Sequence, residues 1–393
     1  MIHVFINALS ASAGGGLTYV RNILPRLAER GDVRVTMLVN DALRKDIPES
    51  SNVTLLSKSS VGWSGRRFWH EQRTLPAMMR RSGADVLLST GNFALFRSPV
   101  PQILLSRNAL YVSADFLRDV RERRDYRLWA DTALKSMLAR WSVRIADRTV
   151  APSETFAAQL RDWTGKEVSC IHHGFDRRTF FDESVALPQT VQARIAATEG
   201  SIQVLFASHY NYYRNFETLI RAIAILKQKL GPKRVRLILT CKLESGENPG
   251  SYRAASAARL VRELALQNEV VELGAVPYAA LHHLYQACDF YVSPAYAETF
   301  AHPLVEAMAS GLPVIASDLP VHREICGDAA VYFSRFSAEE LAQCIAEALG
   351  SDERRATMRR LGLSRSQDFS WDQHVDRLLI LARSLSENRG SLG

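Results

Sequence analysis

Apolar runs of strand length recur along the chain, separated by stretches whose apolar residues fall three and four apart. In the first half HVFINAL, VRVTMLV, ADVLLST and PQILLSR read as strands, and RTVAPS and VSCIHHGFD follow after a long interval. In the second half SIQVLFAS, VRLILTC, VVELGAV, DFYVSPA, PVIASD and AAVYFS repeat the pattern. Strands that are apolar on both faces belong inside a covered parallel sheet. The helical intervals supply the crossovers: one near Thr18 to Arg30, a long one from about Ser113 to Ala146, and a last one from Trp371 to Leu385. This alternation predicts an α/β protein with two doubly wound parallel sheets. It also predicts a first domain over 1–180, a linker over 181–200 where patterning is weakest, a second domain over 201–369, and a C-terminal helix at about 370–388. No internal repeat or low-complexity segment interrupts the scheme.

A length of 393 residues favours two cores over one. The composition, 47% hydrophobic and 23% charged, is ordinary for a soluble globular protein. No apolar stretch is long enough to span a bilayer. The opening MIHVFINALSASAGGG lacks a basic leader and carries Asn7, so it reads as a buried strand rather than a signal peptide, and a cytoplasmic location is expected. Cys170, Cys241, Cys288, Cys326 and Cys344 are odd in number and widely spaced, which argues for reduced core residues over a disulfide framework or zinc site.

The formal net charge of +8 gathers where arginines mix with aromatics. One cluster holds Trp63, Arg66, Arg67, Phe68, Trp69, Arg73, Arg80 and Arg81; the other runs from Arg118 to Arg148 with Tyr126, Trp129 and Trp141. Such a surface suits anionic lipid headgroups. Phosphates of a nucleic acid would be attracted as well, and the interleaved Asp119, Glu122, Asp125 and Asp131 also allow a salt-bridged solvated helix. Peripheral membrane association is the expectation, with no nucleic-acid partner.

Ligands of open α/β sheets bind outside the carboxyl ends of strands. The stretch YVSPAYAETFAHPLVEAMASGLPVIASD is therefore informative. Its apolar Phe290, Tyr291 and Val292 end at Pro294, Pro303 suits the first turn of a helix, and Gly311 suits its end. Glu298 then lies in the turn and Glu306 about one helical turn beyond Pro303. Carboxylates there accept hydrogen bonds from sugar hydroxyls, and amides from Thr299 to His302 approach a helix N-terminus suited to phosphate. Two isolated glutamates would more often be a helix-start charge and a solvated face residue. Gly14, Gly15 and Gly16 after the first strand would let a phosphate or sugar approach the backbone, although they lack the Gly-x-Gly-x-x-Gly dinucleotide spacing.

The string around the glutamates resembles the retaining glycosyltransferases of family 4, which share the GT-B fold. Their paired glutamates at this spacing precede an Ala-Met-Ala-x-Gly-x-Pro-Val-Ile-Ala-Ser tract, matched here from Ala307 to Ser317. The resemblance is strong after about Ser201 and weaker before it. It implies two Rossmann-like domains facing a central cleft, with the C-terminal helix packed back on the first. A nucleotide-diphosphate-sugar is implied as donor, with no cofactor and no metal ion. The resemblance places Glu298, Ala301 and His302 at the transferred sugar, Glu306 at the ribose, and Arg214 with the Thr299 and Phe300 amides at the diphosphate. The Gly14 to Gly16 loop also faces the donor, and the loop holding Val276 reads the base through its backbone.

Two positions depart from the family pattern. Ser208 stands where an arginine is common, leaving Arg214 in the place of a lysine and His209 as the nearest compensating cation. Asn108 lies near where relatives carry a sugar-contacting histidine. Asn215 and Glu217 look like a helix cap and a first-turn charge, while His172 and His173 suit a hinge as well as catalysis. By their isolated settings alone His282, His283, His302 and His322 look structural. The implied function is sugar transfer, with retained anomeric configuration, to a hydroxyl of a saccharide or lipid-linked saccharide, in a surface-polysaccharide pathway. The rivals are a sugar-nucleotide-binding pseudoenzyme and a GT-B sugar-nucleotide epimerase.

Overall fold

A computed structural model describes the chain except residues 12–13, 46–49, 59–63, 232–233, 245, 249, 251 and 391–393. Trp63 of the first arginine cluster thus lies outside the described residues. The chain divides into two compact units. The first comprises Met1–Val112, Ala130–Gly174 and Ser370–Gly393, and the second Ser113–Trp129 and Phe175–Phe369.

The first unit contains seven strands: β1 (Ile2–Asn7), β2 (Val33–Asn40), β3 (Val53–Lys58), β4 (Val86–Ser89), β5 (Gln102–Leu105), β6 (Arg148–Ala151) and β7 (Val168–Cys170). They pair in parallel in the order β3-β2-β1-β4-β5-β6-β7. Alternate residues of β1 enter different cores, as the period of a strand requires. Val4 and Ile6 pack with Tyr19, Val20 and Ile23 of the helix Gly14–Ala28 and with Val375, Leu378 and Leu379 of the helix Trp371–Gly390. Phe5 packs with Leu75 and Met79 of the helix Ser64–Ser82 on the opposite face.

The second unit holds β8 (Ile202–Phe206), β9 (Val235–Leu239), β10 (Val270–Glu272), β11 (Phe290–Ser293), β12 (Val314–Ser317) and β13 (Ala330–Phe333). Their order is β10-β9-β8-β11-β12-β13, again parallel throughout. The direction of winding reverses between β1 and β4 in the first sheet and between β8 and β11 in the second. At such reversals the loops at the carboxyl ends diverge and leave a crevice for ligands.

The expected doubly wound sheets are present, with three local corrections. β3 was not expected: Val53 is buried, but the rest of VTLLSK is largely half-exposed, as befits an edge strand with a weak apolar signature. The first helix begins at Gly14 rather than near Thr18, so the three glycines form its opening turn. The long interval after Ser113 is two helices, Ala114–Glu122 and Tyr126–Ile145, broken at Arg124, whose φ of 55° no helix interior accommodates. Asp125 accepts the Leu128 amide at 3.3 Å and starts the second helix. Residues between Phe175 and Ile202 group with the second unit and include the helices Arg177–Phe180 and Gln189–Ala196.

Candidate functional site

The loops leaving β8 and β11 form the two sides of the second switch point. After β8 the chain passes through a turn at Tyr212–Arg214 to Asn215, whose φ of 54° redirects it into the helix Phe216–Leu230. Asn215 occupies the expected cap position without capping. Its Nδ2 donates to the Pro294 carbonyl at 3.1 Å and the Arg335 carbonyl at 2.7 Å, and its Oδ1 accepts from the Thr218 hydroxyl at 2.9 Å. The side chain therefore ties the β8 loop to the β11 loop.

Arg214, one residue earlier, pairs with Glu298 of the β11 loop. Burial would lift the Glu298 carboxyl, but Arg214, the Thr299 amide, His322 and His302 outweigh it and hold the group below the usual carboxylate range. Burial likewise opposes the charge on Arg214, and Glu298 outweighs it. Both side chains are thus held ionised. The Arg214 Nε is buried and has no hydrogen-bond partner among the described residues, an orphaned donor within the guanidinium fork. The Thr299 amide, expected at the diphosphate, here donates to Glu298 Oε1 at 3.1 Å.

The helix His302–Ala309 opens on Ala301, buried and left-handed at φ 65°, with Pro303 in its first turn. A non-glycine residue held there carries backbone strain, so the surrounding packing fixes this entry into the helix. Gly311, at φ 67°, closes the helix end: its amide donates to the Met308 carbonyl, and that of Leu312 to Ala307. Ser317 of β12 donates from Oγ to the Ala295 carbonyl, holding the β11 loop from its other side.

Glu306 is buried, and burial pushes its carboxyl up to about 7 despite the Tyr285 and Tyr278 hydroxyls and the Arg214 charge. Tyr285 donates to Glu306 Oε2 at 2.8 Å. Tyr278 stands two residues beyond Val276, in the loop expected to read the base, so the second carboxyl is linked to that loop. Neither tyrosine was singled out from the sequence. The only signal available was their spacing around Pro277 and the helix Leu281–Ala287.

The Glu306 shift has a pH consequence. The folded chain holds the proton more tightly than the unfolded chain, whose carboxyl titrates near 4.5. This stabilisation is complete below pH 4.5, falls as pH rises toward 7, and is gone above that. Its full size is about 3 kcal/mol. Glu306→Gln is expected to remove that dependence, which urea unfolding of both proteins at pH 5 and pH 8 will show as a difference that shrinks or reverses at the higher pH.

His209, the nearest candidate for the cation missing at Ser208, is held toward its neutral form in the chain alone. Burial and the Arg214 charge both lower its pKa, and the Ser208 hydroxyl donates to the His209 carbonyl at 3.0 Å. Glu217, expected as a simple first-turn charge, accepts from Arg123 at 2.9 Å, Tyr210 at 3.0 Å and Ser256 at 3.0 Å. Through such contacts the segment Ser113–Trp129 braces the site loops. Asp119 accepts from the Tyr296 hydroxyl at 2.6 Å, and Asp115 pairs with Arg335 at 2.6 Å. His282 and His283 are not as isolated as their sequence setting suggests: ligand-type atoms of both lie within 4.8 Å of one of Glu183. The His283 ring bonds the Val185 carbonyl at 3.1 Å, fastening that segment to the helix Leu281–Ala287.

Gly14, Gly15, Gly16 and Asn108 belong to the first unit, where the sheet has its own switch point. Here Arg107, passed over in the sequence, is the brace. It donates to the Gly15 carbonyl at 3.0 Å and the Thr90 carbonyl at 2.7 Å, with its guanidinium 4.6 Å from the Tyr19 ring centre. A Cβ on Gly91 would come within 2.8 Å of Ser10 Oγ, so the loops after β1 and β4 meet closely. Asn108 spends its carbonyl oxygen on the Leu110 amide at 3.0 Å, capping the turn Ala109–Tyr111. Val276, Ala301, Thr299, Phe300, His302, Glu298, Glu306 and Arg214 all lie in the second unit.

Two all-parallel Rossmann-like sheets, the second with a partly buried guanidinium–carboxylate pair at its winding reversal, define the GT-B class of fold. The family model for group 1 glycosyl transferases matches residues 189–364, and that for Glycosyltransferase Family 4 matches residues 13–179. The chain belongs to this glycosyltransferase family. A D-inositol 3-phosphate glycosyltransferase of Corynebacterium aurimucosum is 32% identical over 43% of this chain and 39% of its own length. The chain spans about half the length of the curated relatives it matches. Among solved structures, sucrose-phosphate synthase from Thermosynechococcus elongatus has a TM-score of 0.76 at 19% identity, covering 98% of this chain and 99% of that one. Anabaena Alr3699/HepE, solved with UDP and glucose, has a TM-score of 0.71 at 19% identity, covering 98% and 100%.

Proposed function

We propose that the chain transfers a sugar from a nucleotide-diphosphate-sugar to a hydroxyl of a saccharide or lipid-linked saccharide, with retained configuration and without a metal ion. The observation that carries this reading is the ionised Arg214–Glu298 pair at the β8–β11 reversal, with Glu306 buried one helix turn further on. Glu298 accepts hydroxyl protons of the sugar, and the Arg214 fork meets the diphosphate, whose charge grows as it departs. Glu306 accepts from the ribose and the Val276 loop adjoins the base. Ala301 and His302 lie beside the sugar and the Phe300 amide beside the diphosphate; Gly14 to Gly16 and Asn108, which belong to the first unit, are assigned to the donor by the family resemblance alone. The nucleotide complexes of Alr3699/HepE support the donor class. Same-face attack, with the leaving phosphate taking the acceptor proton, asks the protein for orientation and charge stabilisation rather than a nucleophile. A surface-polysaccharide role and peripheral association with an anionic membrane belong to the same reading.

The test is to incubate the purified chain with UDP-, GDP-, ADP- and dTDP-sugars and saccharide acceptors, and to assign the anomeric configuration of any product by NMR. A retained glycoside is the expected result. Donor binding without product would favour a pseudoenzyme, and donor conversion without acceptor an epimerase.

A further inference from the structure

Over residues 130–145 the helix Tyr126–Ile145 is built inside out. Its buried side holds Thr132, Ala139, Ser142 and Val143, whereas Leu134, Met137, Trp141 and Ile145 are 54, 66, 60 and 36% exposed. These four recur at spacings of three and four, so they form one stripe. Small and polar residues face inward while the large apolar ones face out, the reverse of what burial favours for a helix surrounded by water.

The stripe does not stop at the helix. The Trp141 ring meets Phe96 at 5.9 Å, Phe96 meets Phe68 at 5.5 Å, and Phe68 meets Trp69 at 5.6 Å. Trp69 is 61% exposed and Phe68 beneath it is buried, so ring contacts below the surface link the exposed apolar residues of two helices of the first unit into one ridge. Arg66, Arg73 and Arg80 share the Trp69 face of Ser64–Ser82, and Arg140 and Arg144 flank the other end. Ser64–Ser82 and residues 130–145 together carry eight basic and two acidic residues, which is +6 of the chain's formal +8.

We propose that this ridge docks on a bilayer surface rich in anionic lipid. Trp69, Leu134, Met137 and Trp141 enter the headgroup region and the arginines meet lipid phosphates. A bilayer takes both halves of the pattern, since its interface rewards apolar insertion and its surface charge attracts cations. A nucleic acid satisfies the arginines but not the aliphatic stripe. A symmetric pair of copies satisfies the stripe but sets two strongly cationic patches against each other. The proposal deepens the lipid-linked-acceptor reading, resting on it only for the purpose that docking serves.

The test is flotation with vesicles of phosphatidylcholine alone or mixed equally with phosphatidylglycerol, with no donor or acceptor present. The chain is expected to float with the mixed vesicles, less so at high salt. The double variant Met137→Ser/Trp141→Ser should lose about tenfold or more in partitioning, and Arg66→Glu/Arg73→Glu about tenfold or more. All four side chains are exposed, and an unchanged thermal melt confirms folding. Equal flotation of both variants with the wild type, or none of the wild type with either vesicle, overturns the proposal. So does a wild-type dimer that Met137→Ser/Trp141→Ser converts to monomer without changing flotation. Transfer to a water-soluble acceptor is measured separately, so a failure of the catalytic reading is distinguishable from a failure of docking.

Discussion

Glu298→Gln is expected to lower kcat by about two to three orders of magnitude while leaving the fold intact. The amide keeps the shape and one acceptor oxygen but loses the charge that answers Arg214 and the full accepting capacity for sugar hydroxyls. Glu298→Ala goes further, because it leaves the partly buried guanidinium with neither counter-charge nor acceptor, a loss below the roughly 3–5 kcal/mol of a fully buried broken pair. The two substitutions separate chemistry from folding. The glutamine variant, which keeps an acceptor for Arg214 but not its counter-charge, should stay folded and melt moderately below the wild type with KM for the donor little changed, whereas the alanine variant should melt earlier still as well as being inactive. Steady-state kinetics beside thermal melts check both, and normal turnover in the glutamine variant would remove Glu298 from the mechanism.

Gly174→Ala is expected to unfold the first unit. A Cβ at this position would lie 2.0 Å from the Trp371 nitrogen, 2.5 Å from the Ser370 carbonyl carbon and 2.6 Å from the Trp371 Cα. All three are backbone atoms, so no rotamer change relieves the clash. The neighbourhood is also dense. His173 stacks on Trp371 at 5.3 Å, Tyr19 bonds the His374 ring at 2.9 Å, and that ring bonds the His172 carbonyl at 2.9 Å. Forced displacement there should cost more than about 3 kcal/mol, beyond ordinary overpacking. The measurements are soluble yield and limited proteolysis, with early cleavage ahead of Trp371 expected in the variant.

The second sheet was legible from sequence almost strand for strand because β8, β9, β11 and β12 are apolar runs bounded by turn residues. β3 was not, since an edge strand shows water much of its length and its VTLLSK reads as a loop. The glutamate string carried the location of the candidate site, with the helix start at His302 and its end before Gly311. What the string could not carry was partnership across long separations. Asn215 has the composition of a cap, but its acceptors are Pro294 and Arg335. Glu217 has the position of a first-turn charge, but Arg123 reaches it from a segment 94 residues away. His209 looked like a spare cation, and only its burial and the proximity of Arg214 show that its ring is disfavoured as one in the chain alone. Periodicity reports the faces of one element; it is silent on which distant element meets that face.

The first unit is sewn from three separated pieces of chain, and its core includes Trp371, Val375 and Leu378 from the last of them. During synthesis its sheet strands emerge first, yet nearly two hundred residues of the second unit must follow before the closing helix appears. At about 5–20 residues per second that interval lasts roughly 10–40 seconds. The unit begun first is therefore finished last, and for that time the apolar flank of β1 and β2 that awaits Trp371 depends on chaperones or on transient cover.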